Sequence, residues 1–293
     1  MKKRSQIISL IGIILILISG IPVIRALNFQ NTNAKAVSQK APASQKVSKT
    51  FKTAAFNQVK LDTDRSSLKF IVGEDFHVTV SGKLKSRITD TKVTVDNNQL
   101  TIYDKPVKHH NYGGYLVTVT VPDRNTIEKI SGTCNLSDLS FNDLAIPYID
   151  LKAQYGDVVM NHVDSKNVHL NQKYGDLKIN NSLVENGTVS LDVGDVIITN
   201  SQFMINAALG KKGNCKYGDV KISNSVMTGD SSFSLINGDF SMTNAHKMSY
   251  KLSTKLKRKI KVNNRSYSKH YSKILKNKPL LKVTNKNGYI KID

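Results

Sequence analysis

Five Gly-Asp pairs recur at intervals of about twenty residues in the second half of the chain, and their carboxylates are the first residues that could do chemistry. Two carboxylates held a few ångströms apart can hydrolyse glycosides, and a series of carboxylate oxygens can bind Ca²⁺. A catalytic pair needs two different environments, whereas a residue repeated in every unit meets the same one each time. Calcium-binding β-helices also carry denser glycine and aspartate repeats. We therefore interpret the pairs as structural turns: Gly156-Asp157, Gly175-Asp176, Gly194-Asp195, Gly218-Asp219 and Gly238-Asp239.

The other candidate groups show no catalytic or metal-ligating pattern. The seven histidines have no metal-ligand spacing, and no phosphate-cradling glycine loop or nucleophile motif occurs. Tyr155, Tyr174 and Tyr217 precede three of the glycines and could form a carbohydrate-stacking strip or a structural column at a corner. Val193 and Asn237 interrupt the series, which favours the structural column. The sequence predicts no enzyme activity, no catalytic residue, no metal site and no cofactor.

Positive charge is concentrated near the two ends of the sequence. Residues 1–54 contain nine Lys or Arg and no acid, residues 246–293 contain fifteen and one acid, and the residues between are close to neutral. A nucleic-acid-binding domain would spread positive charge over its folded face, so no nucleic acid is expected. On a cell surface, exposed cations attract polyanions such as anionic wall polymers, lipid head groups and glycans. The candidate polyanion-binding residues are Lys255, Lys257, Arg258, Lys259, Lys261, Arg265, Lys269 and Lys273.

The basic tract from Lys251 to Lys278 has a second explanation. Exposed lysines at the edge of a sheet prevent edge-to-edge aggregation in ordinary β proteins. The tract could therefore be a solvated cap on the last repeat, and the sequence leaves both interpretations open.

The elements that position these residues are repeats of about twenty residues. The glycines of the Gly-Asp pairs step by 19, 19, 24 and 20 residues, and Ser137-Asp138 stands in the same frame one unit earlier. Positions two and four residues after the glycine are apolar in all six units, which predicts core ladders in alternating strands. The ladders are Leu139, Val158, Leu177, Val196, Val220 and Phe240, and Phe141, Met160, Ile179, Ile198, Ile222 and Met242. Stacked repeats of this kind predict an all-β fold with a β-solenoid.

A polar position recurs six residues after the glycine. It is occupied by Asn181, Asn200, Asn224 and Asn244, and by Asp143 and His162 in the earlier units. Asparagine side chains stacked at a corner can hydrogen-bond from one coil to the next and to turn backbone, so we predict a structural asparagine ladder. The 24-residue unit predicts a bulging loop around Ala207 to Asn214.

The sequence predicts four parts along the chain. Residues 1–27 contain an apolar run from Ile7 to Ile24 behind a Lys-Lys-Arg cluster, which is long enough for one transmembrane helix with a cytoplasmic N-terminus. An uncleaved anchor is favoured over a cleaved signal peptide, because Ile24 spoils the cleavage motif. Residues 28–54 are expected to form a flexible linker, residues 55–130 a region of short alternating strands, and residues 131–293 the solenoid with its basic cap. The bulk of the chain is expected outside the cell membrane.

The two cysteines offer a test of the repeat register. Cys134 and Cys215 both lie three residues before the position of the repeat glycine, four coils apart, or roughly 19 Å at about 4.8 Å per coil. A disulfide requires Cα atoms within about 7 Å of each other. We therefore predict two unpaired thiols.

Together these features resemble a known family, the bacterial β-strand-repeat domains of unknown function labelled "putative adhesin". The resemblance rests on the apolar N-terminal segment, the alternating strands, the Gly-Asp-hydrophobic-x-hydrophobic units and the closing segment Leu281–Ile292, and it runs from Phe56 to Asp293. It implies an extracytoplasmic, membrane-anchored protein without catalytic residues, with a link to envelope stress systems in some relatives. The strongly basic C-terminus departs from the plainest members.

Two functions are compatible with these features. The first is an adhesin or polyanion-binding surface module, in which the solenoid is a rigid spacer and the basic end contacts a cell-wall or surface polyanion. The second is a regulatory or scaffold protein of the envelope stress response, which acts through a membrane-protein partner and in which the basic tract is incidental. The sequence leaves both open.

Overall fold

The computed structural model describes residues 47–82, 91–104, 115–210, 218–257 and 259–293, which belong to one compact unit, Ser44–Asp293. In these ranges the chain forms 27 strands and no helix, so the all-β prediction is confirmed. None of the described residues therefore forms a membrane-spanning helix. The predicted anchor at 1–27 and most of the predicted linker at 28–54 lie outside the described residues.

The described strands form two sheets, A and B. They are β1 Val47–Lys52, β2 Gln58–Thr63, β3 Ser66–Val72, β4 His77–Gly82, β5 Thr91–Asp96, β6 Gln99–Asp104, β7 Tyr115–Val121, β8 Lys129–Leu136, β9 Leu139–Asn142, β10 Tyr148–Tyr155, β11 Val158–Asn161, β12 Asp164–Ser165, β13 Asn167–Tyr174, β14 Leu177–Asn180, β15 Leu183–Val193, β16 Val196–Thr199, β17 Gln202–Leu209, β18 Val220–Ser223, β19 Val226–Met227, β20 Ser231–Asn237, β21 Phe240–Thr243, β22 Ser249–Thr254, β23 Ile260–Val262, β24 Arg265–Tyr267, β25 His270–Lys273, β26 Leu280–Asn287 and β27 Ile290–Ile292. Sheet A has the order β1-β4-β7-β3-β9-β11-β14-β16-β18-β21-β27-β23-β24. Sheet B has the order β25-β22-β26-β20-β17-β15-β13-β10-β8-β2-β6-β5, with β12 beside β15 and β19 beside β17.

Successive coils pair in parallel, and the hydrophobic core lies between the two sheets. In sheet A, β14 lies between β11 and β16, so that Ile179 is opposite both Met160 and Ile198. The short strands of sheet A bury every second side chain; in β14, Leu177 and Ile179 are buried while Lys178 is only partly covered. All residues of the two predicted core ladders are buried. The predicted repeat register is confirmed.

Both ends of the stack are built out of sequence order. The coil of β2 and β3 inserts between the β6/β7 coil and the β8/β9 coil, and the coil of β26 and β27 inserts between the β20/β21 coil and the β22/β23 coil. Antiparallel pairs cover each end: β1 with β4, β4 with β7 and β5 with β6 at one end, and β22 with β25 and β23 with β24 at the other. Strands from the predicted strand region (55–130) and from the predicted solenoid (131–293) belong to the same two sheets. For example, β2 pairs directly with β8.

Two further predictions concern the cysteines and the inserted loop. Cys134 is a free, buried thiol, and burial raises its pKa to about 11, which makes it unreactive near neutral pH. Cys215 lies outside the described residues. The loop predicted around Ala207 to Asn214 begins too early, because β17 continues through Leu209 with both Ala207 and Leu209 buried.

Candidate functional site

The glycines of the Gly-Asp pairs form a column in which successive backbones touch. Gly175 has a φ of 122°, and a Cβ placed on it would lie 2.1 Å from the carbonyl oxygen of Gly156. A Cβ placed on Gly194 would likewise lie 2.0 Å from the carbonyl oxygen of Gly175, and a Cβ placed on Gly238 would lie 2.1 Å from the carbonyl oxygen of Gly218. A side chain cannot fit between coils at this spacing, which gives each glycine a structural role.

The aspartates of the same pairs form a ladder of hydrogen bonds along sheet A. The backbone N–H of each aspartate donates to Oδ1 of the aspartate one coil earlier at 2.8 to 3.0 Å, from Asp138 through Asp239. The ladder then reaches Tyr289, whose N–H donates to Asp239 Oδ1 at 2.8 Å. These carboxylates hold successive coils in register, because hydrogen bonds to an ionised acceptor are among the stronger ones in proteins.

Lysines compensate part of the negative charge of this ladder. Lys178 Nζ lies 2.8 Å from Asp157 Oδ2 and 3.3 Å from Asp176 Oδ2, and Lys221 occupies the equivalent position two coils further on. Burial alone would raise the pKa of Asp157, but the N–H of Asp176 and the ammonium of Lys178 outweigh it and lower the pKa. A carboxyl so engaged is poorly suited to general-acid catalysis. Within the described ranges, no group of three or more His, Cys, Asp or Glu could hold a metal ion.

The recurrent asparagine position is set by the backbone more than by its side chain. Asn181, Asn200 and Asn224 have φ values of 49°, 50° and 49°, in the left-handed region that asparagine tolerates. The same backbone angle occurs at Asp143, His162 and Asn244. Among the described residues, the expected hydrogen bond between coils joins Asn244 to Asn224, and His162 Nδ1 lies 3.5 Å from Asp143 Oδ1. The longer side-chain ladder lies one residue earlier, at Asn142, Asn161 and Asn180, with amide contacts of 3.1 and 2.9 Å.

The tyrosines that precede the glycines form a short stack at the corner of the coils. The rings of Tyr155 and Tyr174 lie 4.8 Å apart between centroids with an interplanar angle of 6°. Each ring therefore covers a face of the other, so the pair does not present a continuous strip of free ring faces. Tyr217 lies outside the described residues.

The predicted polyanion-binding residues fall in the terminal coil that contains β22 to β25. Lys255, Lys257, Lys261, Arg265, Lys269 and Lys273 are exposed, Lys259 is half-buried, and Arg258 lies outside the described residues. The Nζ of Lys259 lies 3.5 Å from the centroid of the Tyr289 ring. Asp293 is the only acid from residue 246 onward, so these cations have few carboxylates near them in sequence.

The outer face of sheet A carries a groove of about 470 Å³ at this end. Its charged lining residues are Lys221, Lys259, Lys261, Lys291, Asp219 and Asp239. Lys291 also forms an ion pair with Asp293. Since carboxylates accompany its lysines, this groove is of mixed charge.

The outer face of sheet B carries a second groove, of about 310 Å³. It is lined by Lys251, Leu252, Ser253, His270, Tyr271, Ser272, Lys282 and Thr284, with no carboxylate among them. Burial raises the pKa of Tyr271, so its hydroxyl remains a donor. Sequence reasoning did not join Lys251 to Lys282, because β22 and β26 become neighbours only through the out-of-order insertion. The alternation of apolar and polar residues in both strands was the sequence signal that Lys251 and Lys282 face outward.

A family model described as Toastrack DUF4097, a domain of unknown function, matches residues 56–293. The chain belongs to this family. The Toastrack match covers the same part of the chain as the resemblance to the "putative adhesin" β-strand repeats, and the predicted family is confirmed. No curated protein matches the chain.

Two solved structures share the fold of this Toastrack chain. A protein described as a "putative adhesin" from Bacteroides fragilis NCTC 9343 has 16% sequence identity and a TM-score of 0.53, covering 86% of this chain and 97% of its own. A protein described as a "putative lipid binding protein" from Parabacteroides distasonis ATCC 8503 has 12% identity and a TM-score of 0.51, covering 85% of this chain and 96% of its own. At these identities the likeness concerns the fold alone.

Proposed function

We propose that this chain is a non-catalytic binding module of the cell envelope, displayed outside the membrane, whose basic terminal coil binds polyanions. The observation that carries the proposal is the charge of that coil and of the inserted coil beside it: residues 246–293, which form both, contain fifteen Lys or Arg and one acid. Positive charges clustered on a folded surface raise the local concentration of any polyanion. The coil also closes one end of the stack, where both sheets present lysines to solvent.

The contrast with the middle of the solenoid supports this proposal. There, the exposed charges of sheet A are compensated, since Lys178 and Lys221 each bridge two aspartates. At the terminal coil the aspartate position of the ladder is taken by Tyr289 and then by Lys259, which removes the compensating acid. The descriptions of the two structural relatives as an adhesin and a lipid-binding protein are compatible with a surface-ligand role.

Retention on purified cell wall tests the proposal. We expect the full chain to bind wall that contains its anionic polymers and to be released by salt, because exposed charges are screened within about 10 Å at 0.1 M salt. Replacing Lys255, Lys257, Lys259 and Lys261 by Gln is expected to abolish most retention. The matched control replaces the exposed Lys60, Lys69, Lys129 and Lys152, which lie towards the other end of the stack, and is expected to retain binding.

Two outcomes would contradict the proposal. One is retention unchanged by the four terminal substitutions, and the other is equal retention on wall stripped of its anionic polymers. Unchanged retention together with high-yield cross-linking to one membrane protein in intact cells would favour the scaffold function instead.

A further inference from the structure

Lys251 and Lys282 stand directly opposite each other on neighbouring parallel strands of sheet B. β22 and β26 pair in register, with Lys251 opposite Lys282, and both side chains are exposed. Neighbouring strands lie about 4.8 Å apart, and like charges placed directly opposite across strands are destabilising. The register therefore places two lysines side by side, and a bound anion would relieve the repulsion between them.

The surroundings of this pair are rich in donors and free of acids. Ser253, Ser272 and Thr284 supply hydroxyls to the same groove, and His270 lines it from β25. The Oγ atoms of Ser253 and Thr284 lie 3.4 Å apart, so two hydroxyls sit side by side between the strands. No carboxylate lines the groove, in contrast to the groove of sheet A.

We propose that this groove binds the phosphate groups of a linear phosphate-bearing polymer, an inference that rests on the proposed function and specifies its ligand. Phosphate oxygens point in tetrahedral directions, so one group can contact both ammonium groups and the hydroxyl pair two residues further along the strands. A carboxylate presents two oxygens in one plane and reaches fewer of these donors.

The arrangement of cations along the strands indicates an extended ligand. Lys282 and Lys286 lie on the exposed side of β26, four residues and roughly 13 Å apart at about 3.3 Å per residue. Lys251 on β22 and Lys255 just beyond it repeat the same spacing on the neighbouring strand. Two lysines in the groove, with a second pair beyond it along the same strands, suit a thin chain lying parallel to the strands. A flat membrane would require cations that project beyond their surroundings.

Calorimetric titration of the full chain with linear inorganic polyphosphate tests the assignment. K251Q/K282Q is expected to weaken binding about tenfold, because both flanking charges are lost. The matched control K129Q/K152Q removes the same charge from exposed positions of the same sheet, towards the other end of the stack. It is expected to weaken binding less than about threefold, as exposed long-range charges contribute little. K251R/K282R is expected to keep most of the affinity.

Several results would overturn the assignment. Equal weakening by the two lysine pairs would show that only net charge matters, and polyglutamate binding as tightly as polyphosphate would exclude phosphate selectivity. If binding to anionic lipid vesicles depends on Lys251 and Lys282 more strongly than binding to polyphosphate does, the groove is a membrane-binding site instead. Without ligand, K251Q/K282Q is expected to unfold at the same or a higher temperature than the wild type, since repulsion is relieved; a lower temperature would refute the stored repulsion.

The failure of this inference is distinguishable from failure of the proposed function. If K251Q/K282Q binds cell wall normally while the variant at Lys255, Lys257, Lys259 and Lys261 does not, the groove is wrong and the polyanion function stands. If neither variant loses retention, both are wrong.

Discussion

At the scale of single residues, successive coils approach each other closely at the glycine column. Gly175 is strained for any other residue, because its φ is 122° and a Cβ would lie 2.1 Å from a backbone oxygen of Gly156. Backbone atoms on both sides cannot move without separating the coils. The column is therefore highly sensitive to substitution.

Gly175→Ala is expected to lower the free energy of unfolding by about 3 kcal/mol or more, from left-handed strain and from displaced coils. Chemical denaturation measures the change. The control is Gly229→Ala, where the new Cβ would meet the flexible side chain of Met204, which can move aside. Equal destabilisation by the two substitutions would contradict the proposed role of the column.

The aspartate ladder predicts a pH dependence of stability. Because the pKa of Asp157 is lowered in the folded state, its ionised form stabilises the fold at every pH above the unfolded value of 3.8. This contribution is lost as the pH falls through the lower, folded pKa. The difference in unfolding free energy between the wild type and Asp157→Asn should therefore be constant from pH 7 to about 5 and shrink below about 4. A difference that grows on acidification would show that the carboxyl is not stabilised as an anion.

Sequence patterns identified which residues recur but not which of their atoms make contacts. The glycine and aspartate positions were predictable as turns, since one Gly and one Asp per repeat offer no differentiated site. The asparagine position was predicted as a side-chain ladder, yet its backbone φ is what recurs at Asn181, Asn200 and Asn224. Periodicity cannot separate these two causes, because asparagine serves both.

At the scale of elements, each short strand of sheet A has one core face and one outer face. β16 provides a direct comparison, because Ile197 and Ile198 are adjacent isoleucines of which only Ile198 is fully buried. Ile198→Ala is expected to lower the unfolding free energy by about 2–5 kcal/mol, since it leaves a cavity between the sheets. Ile197→Ala is expected to cost less than about 1 kcal/mol. Similar costs, measured by denaturation, would contradict the assignment of the faces.

The regular strands were predictable because neighbouring repeats are adjacent in sequence and in space. The positions of β26 and β27 were not, because their partners β20 and β21 lie 50 residues earlier, with β22 to β25 between them. The polyanion-binding candidates were accordingly chosen as a contiguous tract. The sheet B groove joins two segments that no local pattern connects.

At the scale of the whole molecule, the inserted coil of β26 and β27 holds the terminal cap on the stack. Deleting residues 280–293 is expected to lower the unfolding temperature and promote aggregation, because β22 and β23 lose their parallel partners, while β20 and β21 keep β17 and β18 but expose an open edge. Thermal unfolding and light scattering measure both effects. Deleting β1, an edge strand that pairs only with β4, is the control and should be tolerated better. Equal tolerance would show that the inserted coil is dispensable.

The out-of-order insertion also constrains how the chain can be assembled. During synthesis, β22 to β25 emerge before β26 and β27, which in the folded protein lie between those strands and the rest of the stack. Folding that adds one coil after another in sequence order therefore cannot be completed. The lysine-rich terminal coil cannot dock until β26 and β27, which connect it to the stack, have been made. Until then the terminal coil is an undocked cationic segment with open strand edges. A polyanion present at this stage would meet that segment before folding is complete.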